Sequence, residues 1–261
     1  MKLQSYQVDS FTDKIFCGNP AVVVVLDEQL PDDILKLIAR ENAAPETAFI
    51  IRQGEEYWLR WFTPDIEMDL CGHATLAAAH ILFTELAYPN ETIFFRTVSG
   101  ILRVSREGAY YLMDFPMREG VTASLPEEIL DSLNIKPKEV YKARDYMLVY
   151  PSQREIELIE INRSIFDEIN LNTGGVIVTA PGDNCDCVSR FFTPQATILE
   201  DPVTGSAHCT IAPYWGKRLR KETIHAKQLS ARGGEMHCTL AEERVIIRGT
   251  AVTYSKAEFY I

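Results

Sequence analysis

The sequence has no apolar run approaching the ~18 residues that a membrane-crossing helix needs. Its opening, Met1-Lys2-Leu3-Gln4-Ser5-Tyr6-Gln7-Val8-Asp9, holds no continuous apolar segment of signal-peptide length. No membrane partner is expected, and a cytoplasmic protein is. Basic clusters are also missing: 26 Lys and Arg stand against 37 Asp and Glu, a net charge of -11. That balance argues against a nucleic-acid footprint, while leaving room for a small anion bound by local backbone dipoles. Cysteines are few and unpatterned: Cys17, Cys71, Cys185, Cys187, Cys209 and Cys238 follow no framework spacing and read as free thiols. Metal motifs are absent, with no His-x-x-x-His and no Cys-x-x-Cys, and Cys185-Asp186-Cys187 supplies only two thiols. No Gly-x-Gly-x-x-Gly opens a helix, and there is neither a Walker loop nor a Gly-x-Ser-x-Gly. Nucleotide-linked and serine-hydrolase chemistry therefore have no support, and neither a metal nor a cofactor is expected.

What is present is a repeat. Asp69-Leu70-Cys71-Gly72-His73-Ala74-Thr75 is a polar turn running into the apolar stretch Ala78 to Phe83, and Glu200-Asp201-Pro202-Val203-Thr204-Gly205-Ser206-Ala207-His208 echoes it. Each follows a near-identical strand ending, Arg60-Trp61-Phe62-Thr63-Pro64 and Arg190-Phe191-Phe192-Thr193-Pro194. Setting Arg60 against Arg190 aligns Gly72 with Gly205 once the second loop is given three extra residues. Each copy reads as strand, loop and helix start, with a glycine where a ligand can approach the backbone. Unpaired NH groups and the helix dipole there attract carboxylate or phosphate. At 46% hydrophobic and 24% charged the chain is of globular composition, and its duplication predicts two domains. The halves are 1–117, joined by a returning strand 251–261, and 118–250.

Strands are expected at 3–8, 21–26, 46–51, 57–62, 91–97, 100–105 and 109–115, with helices at 31–41 and from Gly72 to about Leu86. In the second half a helix is expected at 125–133, strands at 146–150 and 157–161, and a helical turn at 164–169. Gly174-Gly175-Val176-Ile177-Val178-Thr179 fills the slot that Glu46 to Ile51 holds in the first half, so the scaffold carries different chemistry on its two sides. Pro213 removes a backbone donor two turns into the second helix, which predicts a short or kinked helix.

Cys71-Gly72-His73-Ala74-Thr75, Gly18-Asn19-Pro20-Ala21-Val22-Val23, Glu46-Thr47-Ala48-Phe49 and Asp201-Pro202-Val203-Thr204-Gly205-Ser206-Ala207 together resemble the phenazine biosynthesis PhzF-like isomerase and epimerase family, in order across both halves. The resemblance implies an α+β fold of the diaminopimelate epimerase type, with two similar domains, each a sheet wrapped round a central helix, and an active site in the cleft between them. It further implies a homodimer and cofactor-independent proton transfer on a small carboxylic acid. Glu46, by itself a plain solvated loop carboxylate, becomes on this match the general acid/base. His73, at a helix start, takes a role in binding or proton transfer. Asp201, by itself a turn or cap residue of an Asp-Pro step, takes substrate hydrogen bonding or a secondary relay. Gly72, Gly205 and Ser206 form the anion cradles, and Asn19, otherwise an ordinary turn residue, joins the substrate-binding set. Two rivals are an amino-acid epimerase with two opposed bases and a small-acid binding protein without turnover. A two-thiol epimerase lacks its second base, because no cysteine lies between Asp201 and Gly205, and Cys209 falls a helical turn inside. On this reading Cys71 is a small apolar filler under the helix start.

Overall fold

A computed structural model describes residues 1–54 and 56–261. The chain forms two compact units, Met1–Phe115 with Ile247–Ile261, and Pro116–Ile246. The architecture is α+β, with many strands and six helices among the described residues, and none of these helices is long and apolar enough to cross a membrane.

In the first unit the helix Gly72–Thr84 is apolar on every side, and each residue from Gly72 to Phe83 is buried. A helix without a polar face must be covered all round, and here the strands Lys2–Ser10, Asn19–Leu26, Glu46–Gln53 and Ala251–Tyr260 pack against it. Ala74, Ala77, Ala78 and Ala79 keep its girth small enough for that approach. Its buried His80 is accommodated: Nδ1 lies 2.8 Å from Tyr111 Oη and Nε2 lies 2.9 Å from Thr253 Oγ1. Burial pushes the His80 pKa down to about 4, so the ring is neutral at pH 7.

Asn19–Leu26 and Glu46–Gln53 pair in parallel, Ala21 opposite Glu46, and Glu46–Gln53 pairs antiparallel with Glu56–Phe62. The unbroken apolar run in Asn19–Leu26 follows from burial on both faces. One face meets the central helix; the other packs Val24, Leu26, Phe49 and Phe62 with Leu35 and Ile38 of the helix Asp32–Asn42. The C-terminal strand Ala251–Tyr260 lies antiparallel to Lys2–Ser10, with a register shift between Gln7 and Val8.

Within the second unit, Tyr146–Val149 runs parallel to Val176–Pro181, which is antiparallel to Cys187–Phe192. This is the pairing order of the corresponding strands in the first unit. The helix His208–Leu219 packs against Thr223–Gln228 and Gly234–Ala241. Several expectations change here. The 157–161 segment is not a strand: Gln153–Leu158 is helical, opened by a capping box in which the Glu155 carboxylate accepts from the Ser152 backbone and hydroxyl. Only the single bridge Leu133–Ile161 remains of the expected strand. The strands Glu139–Lys142 and Thr223–Gln228 were not foreseen. Pro213 does not shorten its helix, which spans 12 residues against 13 in the first unit. The Cys209 carbonyl, which a residue-213 amide would have met, accepts instead from the Arg118 backbone N–H at 3.0 Å.

Gly18, immediately before Asn19, has φ +67°, and a Cβ there would lie 2.2 Å from the Ser10 carbonyl oxygen. Gly18→Ala is therefore expected to cost about 2 kcal/mol or more. Gly108→Ala, at φ +60° but in open space, should cost only about 1 kcal/mol. Urea unfolding of the two variants measures the difference, and equal losses would show that the Ser10 contact carries no penalty.

Candidate active site

Parallel pairing puts the starts of Asn19–Leu26 and Glu46–Gln53 at one edge, so Asn19 and Glu46 emerge together. Glu46 is held there from behind. The helix Asp32–Asn42 ends at Ala43, in the left-handed conformation (φ 50°), and Asn42 Nδ2 donates to Thr47 Oγ1 at 3.2 Å. The central helix brings its first turn to the same edge. Its cap residue Cys71 is extended. Ser10 Oγ donates to the His73 carbonyl at 2.8 Å, fixing the backbone of that turn.

The result is a chain of contacts through one imidazole. His73 Nε2 faces Glu46 Oε2 at 2.9 Å. On the far side of the ring, Nδ1 lies 3.0 Å from Asn19 Nδ2 and 3.5 Å from Cys71 Sγ. Asn19, Cys71 and His73 are buried, His73 at 2% exposure. Glu46 keeps 13% of its side-chain surface, which makes it the member of the set able to meet a ligand. Turning the Asn19 amide one way makes Nδ1 an acceptor and the other way a donor, so either protonation state of the ring has a partner.

Electrostatics favours the charged ring. Burial opposes protonation of His73, but the negative charge of the Glu46 carboxylate, with hydrogen bonds from the ring to Glu46 and to the Cys71 sulfur, holds the pKa well above the usual histidine value. Burial, reinforced by Glu46, pushes the Cys71 thiol up to about 11, so it stays protonated at neutral pH. Cys71 is thus a neutral contact of the imidazole as well as a filler.

The sequence contains no spaced metal motif, yet Glu46, Cys71 and His73 offer ligand atoms within 4.8 Å of one another. The thiol and the carboxylate approach opposite ring nitrogens.

The second unit carries Asp201, Gly205 and Ser206. Asp201 ends the short strand Glu200–Asp201, and its Oδ2 accepts from Thr204 Oγ1 at 2.5 Å. Gln228 braces this loop, donating to the Asp201 carbonyl at 2.7 Å and accepting from the Thr204 N–H at 2.8 Å. Gly205 and Ser206 lie in a tight turn ahead of the helix, which starts at His208, so they lead into the helix instead of forming its first residues. Their carbonyls accept from His208 N and Cys209 N at 3.0 and 3.2 Å. Cys209 is fully buried. Burial also pushes His208 down to about 4; its Nδ1 donates to the Thr204 carbonyl at 2.8 Å. Ser10 was not singled out from the sequence. A hydroxyl acting across 63 residues on a backbone carbonyl leaves no local signal.

The raised His73 pKa has a thermodynamic sign. The folded state binds the ring proton more tightly than the unfolded chain, so this stabilisation is fully present below about pH 6.5 and lost as pH rises through the folded value. The unfolding free energy of the wild type should fall over that window relative to His73→Asn, measured by urea titration at a series of pH values. Parallel pH profiles would exclude a raised His73.

The family model for phenazine biosynthesis-like proteins matches residues 8–257. An uncharacterised isomerase of Pseudomonas aeruginosa is 46% identical over 253 residues, covering 97% of this chain and 96% of the relative. A human phenazine biosynthesis-like domain-containing protein is 35% identical, covering 96% of each chain. The crystal structure of a PhzF family protein from Enterococcus faecalis superposes with a TM-score of 0.94 at 44% identity, covering 100% of both chains. A hydroxyproline epimerase from Agrobacterium vitis shares the fold, with a TM-score of 0.65 at 10% identity, over 98% of this chain and 92% of that one. With the motifs, the fold and a match over nearly the whole length in agreement, this chain belongs to the phenazine biosynthesis-like (PhzF) protein family.

Proposed function

We propose that the protein is an isomerase that moves a proton on a small carboxylic acid, with Glu46 as general acid/base. The observation that carries this reading is the 2.9 Å contact between a partly exposed Glu46 carboxylate and a buried His73 ring. Naming of relatives such as those of Pseudomonas aeruginosa as isomerases supports the reaction class.

The chemistry balances without an added oxidant or reductant. Glu46 takes a proton from a carbon next to a carboxylate or conjugated system, and the C–H electron pair enters that system. The double bond shifts, and the protonated Glu46 returns the proton at the new terminus. His73, when charged, pairs with the Glu46 carboxylate at 2.9 Å. The first-turn amides at Gly72 and His73 can stabilise the negative charge that develops. Asp201, from the second unit, is assigned a substrate hydrogen bond or a secondary relay, and Gly205 and Ser206 an anion cradle. The two-thiol epimerase is disfavoured because the Asp201–Gly205 segment holds no cysteine and Cys209 is sealed inside its helix.

Candidate carboxylic acids incubated in heavy water should, for the true substrate, gain solvent deuterium or migrate a proton internally. Glu46→Gln should lower turnover at least about 100-fold with binding retained, and Asp201→Asn should also be severely impaired. Equal turnover by the Gln variant rules Glu46 out. Cys71→Ala should keep activity within about tenfold, since the thiol is protonated and the ring retains Asn19. Abolition of activity in that variant would return the thiol to the centre of the mechanism.

A further inference from the structure

The geometry points to Arg144 as a positioning residue that turns the Ser206 segment of the second unit into a clamp for a carboxylate. This deepens the carboxylic-acid reading above and rests on it. Register supplies the starting point. Glu46 precedes Thr47, which pairs with Phe62; in the second unit Gly175 precedes Val176, which pairs with Phe192. Gly175 thus stands where the first unit carries its acid/base, and nothing larger fits, because a Cβ would lie 2.4 Å from Phe191 Cζ and 2.8 Å from the Phe192 carbonyl oxygen.

The carboxylate of this unit comes from the bend just before the neighbouring strand Tyr146–Val149. Asp145, buried at 1% exposure, accepts from the Gly175 N–H at 2.9 Å and from Arg144 Nε at 3.2 Å, with Arg144 Nη2 3.3 Å from its second oxygen. Held this way, Arg144 extends Nη2 to donate to Ser206 Oγ at 3.0 Å. A serine oxygen accepting from a cation must send its own proton elsewhere. Ser206 is only 7% exposed, and among the described residues nothing accepts that proton. The helix that follows has no acidic residue in its first turn, so its dipole and the guanidinium add at the same place in place of cancelling. A buried donor backed by a permanent cation is matched by an anion, and a carboxylate presents an acceptor oxygen for it. Arginine does not release its proton. Where Glu46 and His73 can exchange a proton, Arg144 and Ser206 hold a fixed charge.

Acetate is the probe, with acetamide as its neutral counterpart, and the amide NMR shifts of Gly205 and Ser206 are the local readout. Acetate should move these resonances and acetamide should not. Arg144→Gln should weaken the apparent acetate affinity about tenfold or more, and Arg144→Lys, which keeps the charge without the fork, should recover part of it. Because Arg144→Gln leaves the Asp145 charge alone, Arg144→Gln/Asp145→Asn is measured beside it and should show the same loss in a chain as stable as the wild type. Acetate affinity within twofold of wild type in Arg144→Gln would overturn the proposal, as would full recovery in the double variant, which would assign the effect to the orphaned Asp145. Glu46→Gln separates the two readings. If it turns over normally while acetate still shifts Ser206, the proton-transfer assignment fails and the clamp stands; the opposite pattern removes the clamp alone.

Discussion

Each strand that leads into one of the two repeated turns carries, two residues before its end, an arginine locked edge-on to the glutamate that opens the short strand pairing with it. Arg60 Nε and Nη2 donate to the two Glu67 oxygens at 2.7 and 2.8 Å, and Arg190 repeats this on Glu200 at 2.7 and 2.9 Å. The forks are largely shielded from water, and each guanidinium lies over the phenylalanine two residues on, at 5.0 and 4.9 Å. Two parallel charge-assisted bonds fix an angle as well as a distance. The loop between strand and helix therefore leaves the strand in one direction. The placement of His73 in one unit and of Ser206 in the other follows from that.

From this common frame the two units diverge in what they do with charge. The first buries an imidazole beside a carboxylate and braces the ring with neutral groups, Asn19 and the Cys71 thiol. The second buries a carboxylate beside a guanidinium. Gly175 marks the point of divergence, because a backbone position that admits no side chain cannot host an acid. One scaffold thus carries an imidazole–carboxylate pair in one unit and a guanidinium–carboxylate pair in the other, through the exchange of Glu46 against Gly175 and a shift of the acid to Asp145, just ahead of the neighbouring strand.

The arginine forks were half legible in the sequence. Arg-x-Phe-Thr-Pro recurs visibly, but the glutamates that receive the arginines lie at different spacings and pair only once the loops fold. Glu46, His73 and Asn19 were each legible through motifs, whereas their convergence depends on the parallel register of two strands and the depth of a helix, which no local pattern encodes. The 157–161 error is instructive: Ser152 and Glu155 stood at capping-box spacing, a stronger local signal than the alternating apolar residues that suggested a strand. The length of the helix through Pro213, 12 residues against 13, has a cause that is not local. Its missing donor is replaced by the amide of Arg118, a residue remote in sequence, and only tertiary structure supplies it.

The pairing of Lys2–Ser10 with Ala251–Tyr260 has a consequence for synthesis. On the ribosome Lys2–Ser10 is made well before its partner, with the whole of Pro116–Ile246 synthesised in between. Until then one edge of Lys2–Ser10 lacks that partner, although Asn19–Leu26 can already occupy the other. The second unit, Pro116–Ile246, is contiguous in sequence and can close while translation continues. The unit carrying Glu46 and His73 is therefore begun before the second unit and completed after it.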